Sequence, residues 1–238
     1  RGVKAELIES TPGRANVYAR IHGKHAGSGL LLLSHIDVVP AKPAGWSLPP
    51  FGAKTQMNML FGRGALDMKS ICIAELLAFA ELAALGEAPA HDVVFLATAD
   101  EEAGGDLGTA WLLAHRPDIF EGIGYALNEG GVSESIQDRP TFFGVEVASR
   151  QIVSLKLHAK DRRALERARI ALQPLQSPRD PDRVLPEVPR ILHNASRYRI
   201  ANRELLEDVE RTIRNGEFFR LDAAYRALFT NAVSLAGV

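Results

Sequence analysis

The sequence predicts an α/β fold, and three observations carry that prediction. Leu30–Leu33, Val93–Ala99 and Tyr125–Leu127 are short apolar runs of the kind that buried strands give. Helical patterns separate them, so the order is strand, helix, strand, helix, strand, the order of an α/β domain. Each run also ends in a short motif of carboxylates or imidazole, where ligands of open α/β sheets bind, beyond the carboxyl ends of the strands.

Composition narrows the classes. The chain has 238 residues, a formal net charge of −1 and 46% hydrophobic residues. That length allows one large or two modest domains. Balanced charge argues against nucleic acid or an anionic membrane as the main partner. The single cysteine, Cys72, excludes a disulfide framework and a cysteine-only zinc site. It falls within an apolar helical stretch and reads as a small buried side chain. No apolar run approaches the roughly 18 residues of a membrane span.

Taken in order, Lys4–Glu9 and Asn16–Ile21 read as strands around a Thr11-Pro12-Gly13 turn. His22 and His25 sit in a Gly-rich loop and read as solvated. Pro43–Phe51 is a loop holding Trp46, and Leu60–Phe61 a short strand leading into Gly62-Arg63-Gly64. From Met68 to Leu85, the residues Ile71, Ala74, Ala78, Leu82 and Leu85 recur at helical spacing, which puts Glu75 and Glu81 off the stripe, toward solvent. Gly86 and Pro89 stop that helix. Gly108–His115 is a second helix. After about Ser149 the texture changes. Ile152–Leu157 alternates as a half-buried strand, Asp161–Leu172 is a basic helix, and Ser177–Pro189 carries four prolines and reads as a loop. Leu205–Ile213 and Leu221–Leu228 are short helical patterns. The expected division is 1–149 and 150–238.

Four motifs carry chemistry. In Ser34-His35-Ile36-Asp37-Val38-Val39-Pro40, His35 and Asp37 lie on one side of an extended segment, so Asp37 can hold one ring nitrogen while the other binds metal. Taken alone, the triplet is better explained as a core histidine. Asp67, after Gly62-Arg63-Gly64, is placed to bind metal or to cap the helix that follows. Asp100-Glu101-Glu102 puts three repelling carboxylates at the end of a buried strand, just ahead of Gly104-Gly105. That is either a solvated turn or a site that needs cations. If Glu102 binds metal, Glu101 can take a proton from a metal-held water and deliver it to a leaving nitrogen. Glu129, before Gly130-Gly131, offers a further carboxylate or is a loop residue.

In series, His-x-Asp-Val-Val-Pro, the tryptophan loop ending in Pro50-Phe51, Gly-Arg-Gly-x-x-Asp-Met-Lys and Asp-Glu-Glu-x-Gly-Gly resemble the M20 family of metallopeptidases. That family includes aminoacylases, Gly-X carboxypeptidases and succinyl-diaminopimelate desuccinylases. The resemblance is dense from Thr11 to Gly131. It implies a zinc-exopeptidase-like catalytic domain, with a mixed central sheet flanked by helices, and a partial α+β lid. It implies two zinc ions, with Co2+ or Mn2+ as substitutes. One ion takes His35, Asp67 and Glu129; the other takes Asp67, Glu102 and a histidine. By the same resemblance Asp37 orients His35, Glu101 is the general base, and Arg63 and Lys69 are structural. The activity implied is cleavage of an amide bond in N-acyl amino acids or at peptide C-termini. A desuccinylase-like deacylase and a non-catalytic metal-binding relative are the alternatives.

The sequence departs from that pattern in three places. Nothing matches the family's late histidine for the second zinc. Leu157-His158-Ala159-Lys160 runs straight into Asp161 where the lid usually carries Gly-His-Gly. The chain stops at Val238 within what resembles mid-lid sequence, so it reads as an excerpt. His115, His158 and His193 are the remaining candidates for the missing ligand. A cytoplasmic location, a small-molecule or peptide substrate and a homodimer through the lid complete the expectations.

Overall fold

The structure is a computed structural model that describes residues 3–131, 133–136, 139–146, 155–176, 184–199 and 202–230. The chain divides into two compact units, Arg1–Val132 and Ser133–Val238.

The first unit is built on a five-stranded mixed sheet flanked by helices. Its strands are β1 (Ala5–Thr11), β2 (Arg14–Ile21), β3 (Gly29–His35), β6 (Val93–Thr98) and β7 (Ile123–Leu127), in the order β1-β2-β6-β3-β7. A separate small hairpin pairs β4 (Lys54–Gln56) with β5 (Met59–Phe61). The β1-β2 hairpin joins β6 antiparallel, whereas β3 lies parallel to both β6 and β7. All three parallel strands therefore end on the same side, with His35 opposite Thr98. That register brings the motif after each strand to one edge.

Alternation along the strands splits the core into two layers. Leu31, Val94 and Leu96 pack with Ile8, Leu112 and Ile119 under α2 (Thr109–His115). Leu32, Phe95 and Ala97 pack with Ala19, Cys72 and Phe79 of α1 (Ser70–Ala84). Cys72 is buried there as a free thiol.

The face that α1 buries differs from the expected one. Cys72, Glu75 and Phe79 form the buried stripe, with Met68 buried just ahead of the helix, while Ile71 and Leu85 are 38% and 71% exposed. The helix is apolar nearly all round, so periodicity alone did not identify its core side. Glu75, expected toward solvent, is 6% exposed.

Two polar anchors hold the sheet to its loops. Buried Asn16 donates from Nδ2 to the Ile8 and Leu107 carbonyls and accepts from the Ala99 N–H. Arg20 pairs with Asp92 at 2.6 Å and donates to the carbonyls of Asp118, Ile119 and Glu121. At Gly108 a Cβ would overlap the Ala99 carbonyl oxygen. Gly108→Ala is expected to destabilise the protein by about 1–3 kcal/mol, the usual cost of overpacking, readable by chemical denaturation.

In the second unit β8 (Glu134–Ile136) pairs antiparallel with β9 (Arg139–Phe142). The basic helix α3 (Arg162–Leu172) starts where Asp161 accepts from the Ala164 N–H. A helix not expected from sequence, α4 (Glu187–Ser196), occupies the end of the proline-rich stretch. Its Pro189 lies in the first turn, where a missing N–H costs nothing. The expected Leu205–Ile213 helix is two, α5 (Arg203–Glu207) and α6 (Val209–Arg214), because Asp208 breaks the run and caps the second through the Arg211 N–H. With α7 (Ala223–Arg226), these helices enclose Val188, Leu192, Leu205, Leu206, Val209, Phe218, Leu221 and Phe229. Of the expected strand Ile152–Leu157, residues 152–154 lie outside the described residues, and Leu155–Leu157 is not a strand.

Candidate metal centre

His35 ends β3 and is 2% exposed. Its backbone N–H donates to the Met68 sulfur, tying the strand end to the segment that enters α1. Its Nδ1 lies 3.0 Å from the Asp37 carbonyl oxygen. A carbonyl only accepts, so Nδ1 carries the hydrogen. The opposite nitrogen, Nε2, faces three carboxylates: Asp67 at 3.0 Å, Glu129 at 3.5 Å and Glu101 at 3.9 Å.

That arrangement calls for a cation. A neutral His35 would point its Nε2 lone pair at the Asp67 oxygen 3.0 Å away, which is repulsive. Either a second proton or a metal ion must lie there. Burial disfavours imidazolium, but Asp67, Glu129, the Asp37 carbonyl and Glu101 outweigh it and raise the His35 pKa. Burial pushes the Glu129 carboxyl up; His35 opposes this, and Asp67 and Glu101 reinforce it. Donor atoms of His35, Asp67 and Glu129 all lie within 4.8 Å of one another.

The loop before α1 places Asp67. Gly64 is left-handed, with φ of 79°, and a Cβ there would overlap Val38. Arg63 donates its backbone N–H to Pro50 and stacks its guanidinium 5.3 Å from the Trp46 ring, which fixes the tryptophan loop. The Asp67–Met68 peptide is cis. Asp67 makes no capping hydrogen bond to α1; its Oδ1 goes to His35 instead.

The three consecutive carboxylates are separated by a turn. Asp100, in a left-handed conformation, folds inward and accepts from the Leu107 N–H. Glu101 points toward His35. Asp37 has a different part from the one its spacing implied. Its carbonyl, not its carboxylate, makes the 3.0 Å bond to His35, with Oδ1 at 3.5 Å. Its carboxylate accepts from the backbone N–H groups of Glu101 and Glu102, each at 3.1 Å. Asp37 therefore joins the histidine loop to the glutamate turn, a contact the i, i+2 pattern cannot reveal. Asp37→Asn removes a charge-assisted acceptor worth roughly 1.5–3 kcal/mol and is expected to destabilise the protein by about that amount while leaving His35 bonded through the unchanged carbonyl. Chemical denaturation of the variant beside the wild type reads the difference.

Glu102 is held by its backbone at this turn, but its carboxylate is outside the His35-Asp67-Glu129 cluster. His115 stacks on Trp111 and bonds its carbonyl, and His193 bonds the Glu207 carbonyl. His158 is exposed. Among the described residues, none of these three joins a group with metal-ligand spacing.

The model of peptidase family M20/M25/M40 matches residues 31–233, most of the chain. The chain belongs to this family. A succinyl-diaminopimelate desuccinylase of Methylocella silvestris is 41% identical over 109 residues, which is 44% of this chain and 27% of that enzyme. Another, from a Methylobacterium species, is 44% identical over 107 residues, 44% of this chain and 26% of that enzyme. The chain thus matches little more than a quarter of the length of these curated relatives. Among solved structures, an M20 family metallo-carboxypeptidase of Sulfolobus solfataricus is 31% identical, with a TM-score of 0.45, over 54% of this chain and 29% of that one. Human carnosine dipeptidase 1 aligns over the same shares at 22% identity and the same TM-score of 0.45. No helix among the described residues is long and apolar enough to cross a membrane.

Proposed function

We propose that this M20 protein is a zinc-dependent amidohydrolase acting on N-acyl amino acids or on the C-terminal residue of peptides. The observation that carries the reading is the direction of His35: Nδ1–H is committed to a carbonyl, so Nε2 is the ring nitrogen turned toward Asp67 and Glu129. One imidazole nitrogen with two carboxylates is donor chemistry that suits a catalytic zinc. Asp67 is the carboxylate we assign to both ions, with Glu102 on the second. When bound, two such ions lower the pKa of water and polarise the scissile carbonyl.

The chain's own residues supply the rest. Glu101, with Oε2 at 3.9 Å from His35 Nε2, is the base we assign to take a proton at the site and return it to the leaving nitrogen. Asp37 holds Glu101 in place from the main chain. We assign catalysis to the first unit, and a lid and dimer contact to the second. The cytoplasm is the compartment we propose.

A second reading has its own support. The identity of 41% to 44% with succinyl-diaminopimelate desuccinylases favours a deacylase of a succinylated or acetylated intermediate. The test is zinc content and turnover of the full-length protein on N-acetyl amino acids, C-terminal dipeptides and N-succinyl-diaminopimelate. Amide hydrolysis that is lost on chelation and restored by zinc supports the proposal. Tight zinc binding without turnover on any of the three would leave a non-catalytic metal-binding protein instead.

A further inference from the structure

The metal centre depends on a joint between two elements. β3 presents His35 at its end, and α1 begins just after Asp67. How α1 seats on β3 therefore sets how Asp67 meets His35. The seat is Met68, just ahead of the helix, and the stripe Cys72, Glu75 and Phe79, whose spacing of three and four residues puts all three on one face of α1. Three of these side chains suit an apolar layer. Glu75 does not.

Both Glu75 oxygens are buried without a hydrogen-bond partner, and so is the Ser34 hydroxyl. Ser34 is 1% exposed and immediately precedes His35. It faces the α1 side of the sheet, level with Ala97 of β6. An ionised carboxylate in such a place needs several donors, and one hydroxyl provides one. A neutral carboxyl needs less: its proton has the Ser34 oxygen as an acceptor, so one hydrogen bond between them would serve both groups. Burial accordingly raises the Glu75 pKa to about 7, against an opposing contribution from Ser34. No other titratable group contributes to that shift. β6 brings none over Val93–Thr98, β3 brings only His35, and the α1 region brings Asp67, Lys69, Cys72 and Glu81.

Resting on the metal-centre reading above, we propose that Glu75 is a positioning residue for that centre: paired with Ser34 as a neutral acid, it seats α1 on β3 and so sets the approach of Asp67 to His35. Ionisation reverses this. A buried carboxylate with one donor is drawn toward water, and α1, exposed on its outer face, has room to lift. The joint is therefore tight below neutral pH and loosens as pH rises through the Glu75 range.

The experiment compares the full-length protein with Glu75→Gln, which stays neutral at every pH. Zinc affinity is measured by chelator competition from pH 6 to 8.5 and expressed as the ratio of variant to wild type, which cancels protonation of the shared ligands. The ratio should be near one at pH 6, and the variant should bind about threefold tighter or more at pH 8.5. If Glu75→Gln does not fold, Glu75→Leu should show the same rise. A ratio that stays flat while thermal stability alone improves would make Glu75 merely structural and overturn the proposal. Absence of zinc binding in both proteins would overturn the functional reading as well, so the two failures are distinguishable.

Discussion

Glu101→Gln is expected to cut turnover by about 10²-fold or more while zinc content stays at the wild-type level. The substitution keeps the side chain's size and hydrogen-bonding outline but cannot accept the proton. The site tolerates it because Glu101 is 52% exposed at its side chain and placed by its backbone, whose N–H is held by Asp37. Nothing that positions the turn is touched. Its carboxylate is also the most distant of the three facing His35, at 3.9 Å, which suits a base better than a ligand. Metal analysis alongside kcat decides the matter. Loss of zinc from this variant, with activity returning in excess zinc, would reassign Glu101 as a ligand.

Asp67→Ala is expected to act through the metal itself. Zinc affinity should fall by more than the 10–100-fold typical of losing an outer-shell partner, with turnover lost accordingly. The carboxylate we assign to both ions disappears, and so does the 3.0 Å partner of His35. A second readout is independent of activity. The Asp67 bond is the largest of the influences that raise the His35 pKa, opposing burial. Removing it should lower that pKa, so the metal-free variant should hold His35 neutral to lower pH than the metal-free wild type. The imidazole resonances in a pH titration report this directly. An unchanged His35 titration would mean that Asp67 does not govern the ring.

Much of this was legible in the sequence, for physical reasons that differ by residue. The strands around β3 and β6 were legible because both faces are buried and the runs are continuous. That His35 and Glu129 come to one edge followed from strand order, since parallel strands end together, whereas Asp67, which ends no strand of this sheet, was expected beside them only from the family resemblance. Which face α1 buries was not legible, because a helix apolar on most sides gives no contrast. The buried Glu75 was hidden for the same reason: a charged residue is read as solvent-facing until packing shows otherwise. The contact from Asp37 to the glutamate turn spans more than sixty residues and uses backbone donors, so no local pattern encodes it. In the second unit, the helix from Glu187 was masked by prolines that a first turn accepts.

The Asp37 clamp has a consequence for how this centre can change over time. Its two oxygens grip two successive main-chain N–H groups, and every residue except proline provides one. The clamp is therefore blind to which side chains stand at 101 and 102. Those positions can exchange acid for amide, or lose a ligand altogether, without the turn collapsing. Position 37 has no such freedom. A lineage carrying this fold can retire or replace its chemistry one side chain at a time while the scaffold that presented it persists.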